Sequence, residues 1–180
     1  TSTLGGSNTS SASNSSNTCA KNSVGIATCV EPGIPPAGSQ FEYLDHPADV
    51  ILHSWGINLI EALSNLVVCM FGYMTSLDSL SINKTQSSDH GANMTGQGHD
   101  MHSLVYSLLD EWLFNFHDTG FSAKEVEVSE FRRDVWRIAS SGKGEIMDIK
   151  RHPQGTEVKA ITYNGMKVVE NNNRCDVYVV

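Results

Sequence analysis

The sequence predicts an α+β domain: a mixed, largely antiparallel sheet packed with two amphipathic helices on one face. Three observations carry this. Two long apolar stripes recur at helical spacing, a run of β-rich segments follows them, and the opening tract is too polar to build a core.

The chain has 180 residues, enough for one domain. Residues 1–40 open with Ser, Thr, Asn and Gly and end in Glu31-Pro32-Gly33-Ile34-Pro35-Pro36. Apolar residues there are sparse and aperiodic. Such a stretch cannot offset the entropy lost on ordering, so it reads as a disordered leader to a domain at 41–180.

The first helix starts at Asn58, a good N-cap, with Glu61 completing a capping box. Leu59, Ala62, Leu63, Leu66, Val67, Met70, Phe71 and Met74 then form one apolar stripe. The second helix takes Asp100 as its cap. Its stripe is Met101, Leu104, Val105, Leu108, Leu109, Trp112, Leu113 and Phe116, and Gly120 stops it. Both stripes read as core. Strands are expected at 50–55, at 125–128 and 135–140 around the turn Arg132-Arg133-Asp134, and at 145–149, 157–163, 166–169 and 177–180. The polar stretch 78–99 reads as a long loop with one short edge strand near 81–85.

The net charge of −8 is uneven: residues 1–123 hold two lysines against eleven acids, and 124–180 hold ten Lys/Arg against nine. This is not the footprint of a direct nucleic-acid binder. It suits plain solubility first, and a basic partner as the alternative. No apolar run reaches the roughly 18 residues of a bilayer span, and no signal-peptide pattern opens the chain. Cys19, Cys29, Cys69 and Cys175 form no C-x-x-C pair and read as free thiols in a reducing compartment. The expectation is an intracellular protein, cytoplasmic, nuclear or both, with no membrane association.

Two stretches carry candidate chemistry. In Glu42-Tyr43-Leu44-Asp45-His46-Pro47-Ala48-Asp49, Pro47 biases His46 to an extended conformation. Fully extended, Asp45 and Asp49 would stand about 13 Å apart, so they share a cation only if the loop bends back. Asp49 suits a hard cation such as Ca²⁺ or Mg²⁺, or serves as an Asx-turn or loop cap. In the second stretch, His152-Pro153-Gln154-Gly155 suits a type I turn. Lys159 then lies on a strand, on one face with Glu157, Ile161 and Tyr163. It meets a phosphate or a partner carboxylate, or simply pairs with Glu157 in solvent. Gly142-Lys143-Gly144 lacks the spacing of a phosphate loop, and the seven histidines do not pair with cysteines at zinc spacing. No G-x-S-x-G elbow or dinucleotide fingerprint is present.

Both stretches resemble the archease family. The matching blocks run from Tyr43-Leu44-Asp45-His46-Pro47-Ala48-Asp49-Val50 through Met70-Phe71-Gly72-Tyr73-Met74-Thr75 and Leu109-Asp110-Glu111-Trp112-Leu113. They end in His152-Pro153-Gln154-Gly155-Thr156-Glu157-Val158-Lys159-Ala160-Ile161-Thr162-Tyr163. The resemblance implies an α/β sandwich that is not itself an enzyme. It implies a protein cofactor that promotes guanylylation and repeated turnover of the RtcB-type, GTP-dependent RNA ligase complex of tRNA splicing, touching RNA only indirectly. It also implies a divalent cation, Ca²⁺ first and Mg²⁺ or Mn²⁺ as alternatives, with Asp49 as a metal ligand and Lys159 as the activating residue. Asp45, His46, His152 and Glu157 are supporting candidates. The family's remaining ligands, an aspartate beside the C-terminus and the terminal carboxylate, would lie past Val180, and Asp176 aligns upstream of them. Pro47 replaces the usual threonine, and 75–103 is longer and more polar than is typical of the family. Two other readings stay open: a metal-dependent phosphoesterase with His46 or His152 as base, and a general chaperone or adaptor without metal.

Overall fold

The computed structural model describes residues 31–47, 50–82 and 91–180. In chain order it contains β1 (Phe41–Asp45), β2 (Val50–Gly56), α1 (Leu59–Met74), a short 3₁₀ turn (Leu77–Ser79), β3 (Gly91–Gln97) and α2 (Met101–Thr119). These are followed by β4 (Phe121–Arg132), β5 (Arg137–Ile146), β6 (Lys167–Asn171) and β7 (Arg174–Val179). The class is α+β, as the sequence predicts. The strands form two sheets rather than one, ordered β1-β2-β7-β6 and β3-β5-β4, and every pairing is antiparallel.

The helices therefore do not share one face of one sheet. α1 packs against β2 and β7 of the first sheet and also against β4 of the second, while α2 lies mainly on β3. This explains why α1 is buried almost all round: Leu63, Leu66, Val67, Cys69, Met70 and Phe71 are fully inaccessible. Each such side chain contributes on the order of 1.5–3 kcal/mol of apolar burial. α2 seats Trp112 against β5, where its indole N–H donates to Ser140 Oγ at 3.0 Å. A Cβ at Gly142 would lie 2.5 Å from that indole, so the Gly-Lys-Gly run belongs to this seat in β5.

Both helix starts are as expected, with one change of partner. Asn58 accepts from the Glu61 amide, but Glu61 reaches back to the Ile57 amide rather than to its own cap's N–H. Asp100 and Ser103 make a full reciprocal box, and Gly120 ends α2 in the left-handed region at φ 75°.

One loop expectation and three strand expectations fail. The stretch read as loop holds β3. Its segment, Gly-Ala-Asn-Met-Thr-Gly-Gln, has little β propensity and is defined by its full register with β5. The edge strand expected near 81–85 is absent at Ser81 and Ile82, and 83–85 lie outside the described residues. The strand expected at 145–149 ends at Ile146, where β5 gives way to a turn closed by Arg151 and His152 amides on the Asp148 carbonyl. Residues 157–163 belong to no strand, because their flanking amides bond to a helix end instead of a ladder. The leader's first 30 residues lie outside the described residues. Residues 31–40 carry no helix or strand, and they meet the domain through Gly33 N–H to Gly72 O and Trp55 N–H to Gln40 O.

Candidate functional site

α1 ends facing the second candidate stretch. A helix leaves its last carbonyls without intrahelical donors. Here Gly33 N–H takes the Gly72 carbonyl (3.0 Å), Thr156 N–H that of Tyr73 (3.3 Å) and Gly155 N–H that of Met74 (2.8 Å). The backbone approaches so closely that a Cβ on Gly155 would stand 2.2 Å from the Tyr73 oxygen, which is why this position is glycine. The type I turn expected over His152–Gly155 is replaced by this contact, since the Gly155 amide points at Met74.

From Thr156 to Tyr163 the chain carries no helix or strand. His117 Nε2–H donates to the Val158 carbonyl at 3.3 Å, and Thr162 N–H donates to the Val180 carbonyl at 3.2 Å. Tyr163 stacks on Tyr106 of α2 with centroids 4.6 Å apart and planes 7° apart. Segment 157–161 forms one wall of a cleft of about 410 Å³, completed by Val50, Leu52, Tyr73, Val179 and Val180. Lys159 and Glu157 both line it and are exposed. Neither makes an ion pair among the described residues, so the expected Lys159–Glu157 pairing is not formed.

The strand that follows the first candidate stretch lines the same cleft through Val50 and Leu52. Asp45 pairs with Val50 across the β1–β2 hairpin, so the chain reverses between Asp45 and Val50. Asp45 is exposed and His46 half-buried. Asp49 itself lies outside the described residues; Val50, the next residue, lines the cleft with Lys159. Among the described residues no group of three His, Cys, Asp or Glu side chains could hold a metal. Ca²⁺ takes 6–8 oxygen ligands, and Asp45 and Glu157 do not make such a set. These residues alone do not fit a cation.

His152 is not at the cleft. Its side chain is fully buried against Glu145. The Asp148 amide donates to Nδ1 at 2.8 Å, and Nε2 lies 3.2 Å from Glu145 Oε1. Glu145 also accepts from the Ser81 amide (2.6 Å) and from Arg151 (3.2 Å). Burial pushes the Glu145 carboxyl pKa up, but the Ser81 amide, Arg151 and His152 together hold it below the usual range. Sequence reasoning missed Glu145 because nothing local marks it.

A second network, also missed, lies on the face of the first sheet. His53 Nδ1 is 2.8 Å from Glu42 and Nε2 is 2.9 Å from Asp176, which Arg174 grips with two nitrogens. Cross-strand registers, not sequence neighbours, assemble it. Cys69 and Cys175 are free and buried, and burial pushes both thiols up; Cys19 and Cys29 lie outside the described residues. No helix among the described residues is long and apolar enough to cross a membrane.

An α+β domain of two antiparallel sheets, with an open cleft between a hairpin mouth and a lysine-bearing segment, defines the class. Residues 41–180 match the model of the archease protein family (MTH1598/TM1083). Among relatives, a protein archease-like of Dictyostelium discoideum is 42% identical over 140 residues, covering 78% of this chain and 91% of its own. The protein archease of Danio rerio is 43% identical over 147 residues, covering 81% and 86%. A solution structure of Methanobacterium thermoautotrophicum protein 1598 shares the fold, with TM-score 0.63 and 24% identity over 78% of this chain and 96% of that one. The chain belongs to the archease family.

Proposed function

We propose that this protein is a non-enzymatic activator of an RtcB-type, GTP-dependent RNA ligase of tRNA splicing, promoting guanylylation and repeated turnover of that partner inside the cell. The observation that carries the reading is the cleft. It brings the segment bearing Lys159, an exposed ammonium without an ion-pair partner among the described residues, to the strand mouth that follows Asp49. A cation offered on a 157–161 wall suits developing phosphate charge in nucleotidyl transfer. The proposal includes a divalent cation, Ca²⁺ or else Mg²⁺ or Mn²⁺, with Asp49 as a ligand by family resemblance. No step is assigned to it, since the described residues do not complete its shell. The phosphoesterase reading loses one of its two bases, because His152 is sealed in and both its ring nitrogens are engaged.

The test is multiple-turnover ligation by an RtcB-type ligase with GTP and divalent metal, with and without this protein. Many turnovers with it and about one without it are expected. Lys159→Ala and Asp49→Ala should each cost at least about tenfold, the scale of one lost charge contact. Unchanged activation in both variants sinks the proposal. Equilibrium dialysis with ⁴⁵Ca²⁺ on Asp49→Ala tests the cation separately.

A further inference from the structure

Lys159 sits on a segment with no sheet ladder to hold it. Something else must fix its place. The nearest fixed point upstream is the Val158 carbonyl, which His117 holds; behind it come Gly155 and Thr156 on the α1 carbonyls, and before them His152. Between β5 and Gly155 the chain makes a tight turn that is bridged to the end of α1 by Gln154 with Thr75. Thr75 Oγ1 also donates to the Pro153 carbonyl at 2.8 Å. Beside these contacts stands one buried peg.

That peg is His152. A backbone amide can only donate, so Nδ1, which receives Asp148 N–H, carries no proton. The ring proton is then on Nε2 and points at Glu145 Oε1. Ring orientation and tautomer are both set. Glu145 is in turn held by groups from two other places: the Ser81 amide beyond the 3₁₀ turn, and Arg151 beside His152. Through one carboxylate the end of β5, the segment after α1 and the turn before Lys159 are tied together.

We propose that His152 and Glu145 are the positioning pair that places Lys159 at the cleft; this rests on the activation reading above. The pair touches no partner. It holds the 147–156 turn in register, so that Gly155 and Thr156 stay on the end of α1 and Lys159, three residues on, is presented at a fixed point. Loss of the pair leaves the ammonium present but misplaced, and pre-placement of a charged group is worth much of its effect.

Two arms test this on the whole protein. In the first, amide hydrogen exchange is followed in His152→Asn. The Gly155 and Thr156 amides should exchange at least about tenfold faster, with β5 amides near Ile138 unchanged. Glu145→Gln, which keeps the shape and an acceptor oxygen, should speed the same two amides by a smaller factor, about threefold. Wild-type exchange at Gly155 and Thr156, in whichever of these variants folds, overturns the proposal. In the second arm, ligation is titrated with each variant. The stimulation at saturation should fall about tenfold in His152→Asn while the half-saturating concentration holds, and His152→Asn should add nothing in a Lys159→Ala background. Multiplying losses would mean that the pair does not act through Lys159. If Lys159→Ala left ligation intact, the activation reading would fall, and the exchange arm would still decide whether the pair holds the turn.

Discussion

Two histidine–carboxylate networks among the described residues, those of the buried His53 and His152, are built on opposite plans. His53 lies on a sheet face between neighbouring strands: Glu42 from β1 on one ring nitrogen, Asp176 from β7 on the other, and Tyr178 stacked on the ring at 4.1 Å. Carboxylates only accept, so serving both takes a proton on each nitrogen. Arg174 closes the group from outside, lying 4.7 Å over Trp55 while it grips Asp176. His152 instead joins segments with no strand pairing between them, and one of its nitrogens accepts. Removing His53 leaves a sheet still held by its ladder. Removing His152 takes from the turn its buried link to Glu145 and leaves it the backbone bonds to α1 and the Thr75 contacts.

The largest expected effect follows from that asymmetry. His152→Asn should destabilise the protein by about 2–3 kcal/mol, because the buried Glu145 carboxylate loses a donor and the Asp148 amide loses its acceptor. His53→Asn should cost nearer to 1 kcal/mol, since Glu42 is half-exposed and Asp176 keeps Arg174. Urea melts of the two variants at pH 7 check this. Equal losses would break the comparison.

Acid should separate the networks less strongly. The Arg174 guanidinium, helped by His53 and opposed by burial, holds the Asp176 carboxyl below its ordinary range. A carboxyl with a lowered folded pKa contributes stability above its unfolded pKa and loses it as pH falls through the folded value. The wild type should thus weaken as pH drops below the ordinary carboxylate range of about 4. Asp176→Asn should be less stable at pH 7 and show a shallower acid limb. The limb should not vanish, because Glu145 is lowered as well. An unchanged acid slope in Asp176→Asn would show that Asp176 is not coupled to folding.

How much of this could be read from the residues depends on what kind of signal each feature sends. α1 and α2 were legible because cap and stripe lie within one stretch of chain, and both caps are where Asn58 and Asp100 put them. β3 was not, since Gly91–Gln97 owes its form to β5, 42 residues away in the register Gly96↔Ile138. The 157–163 stretch alternates like a strand, yet its neighbours Gly155 and Thr156 spend their amides on α1. That outcome depends on where a helix ends in space. For the site, the residues Lys159 and Val50 could be named from family blocks, but their meeting at one cleft could not. Glu145, His53 and Asp176 sent no local signal at all, because each acquires its partners only through register or through a turn.

Salt should give the smallest contrast. At 1 M ionic strength the Debye length is about 3 Å, which screens pairs that water reaches and spares those it does not. Arg174 and Glu42 have side chains 50% and 48% exposed. His152 is 0% exposed and Glu145 9%. The stability gap between wild type and Asp176→Asn should therefore narrow in 1 M NaCl relative to 0.05 M, whereas the gap for His152→Asn should stay constant within error. The two gaps are compared at one pH, so the general salting effect on the fold cancels from each. If the His152 gap narrowed as much as the Asp176 gap, solvent would have to reach the Glu145 carboxylate. The turn before Lys159 would then be opening in the native state, and the peg would be a latch.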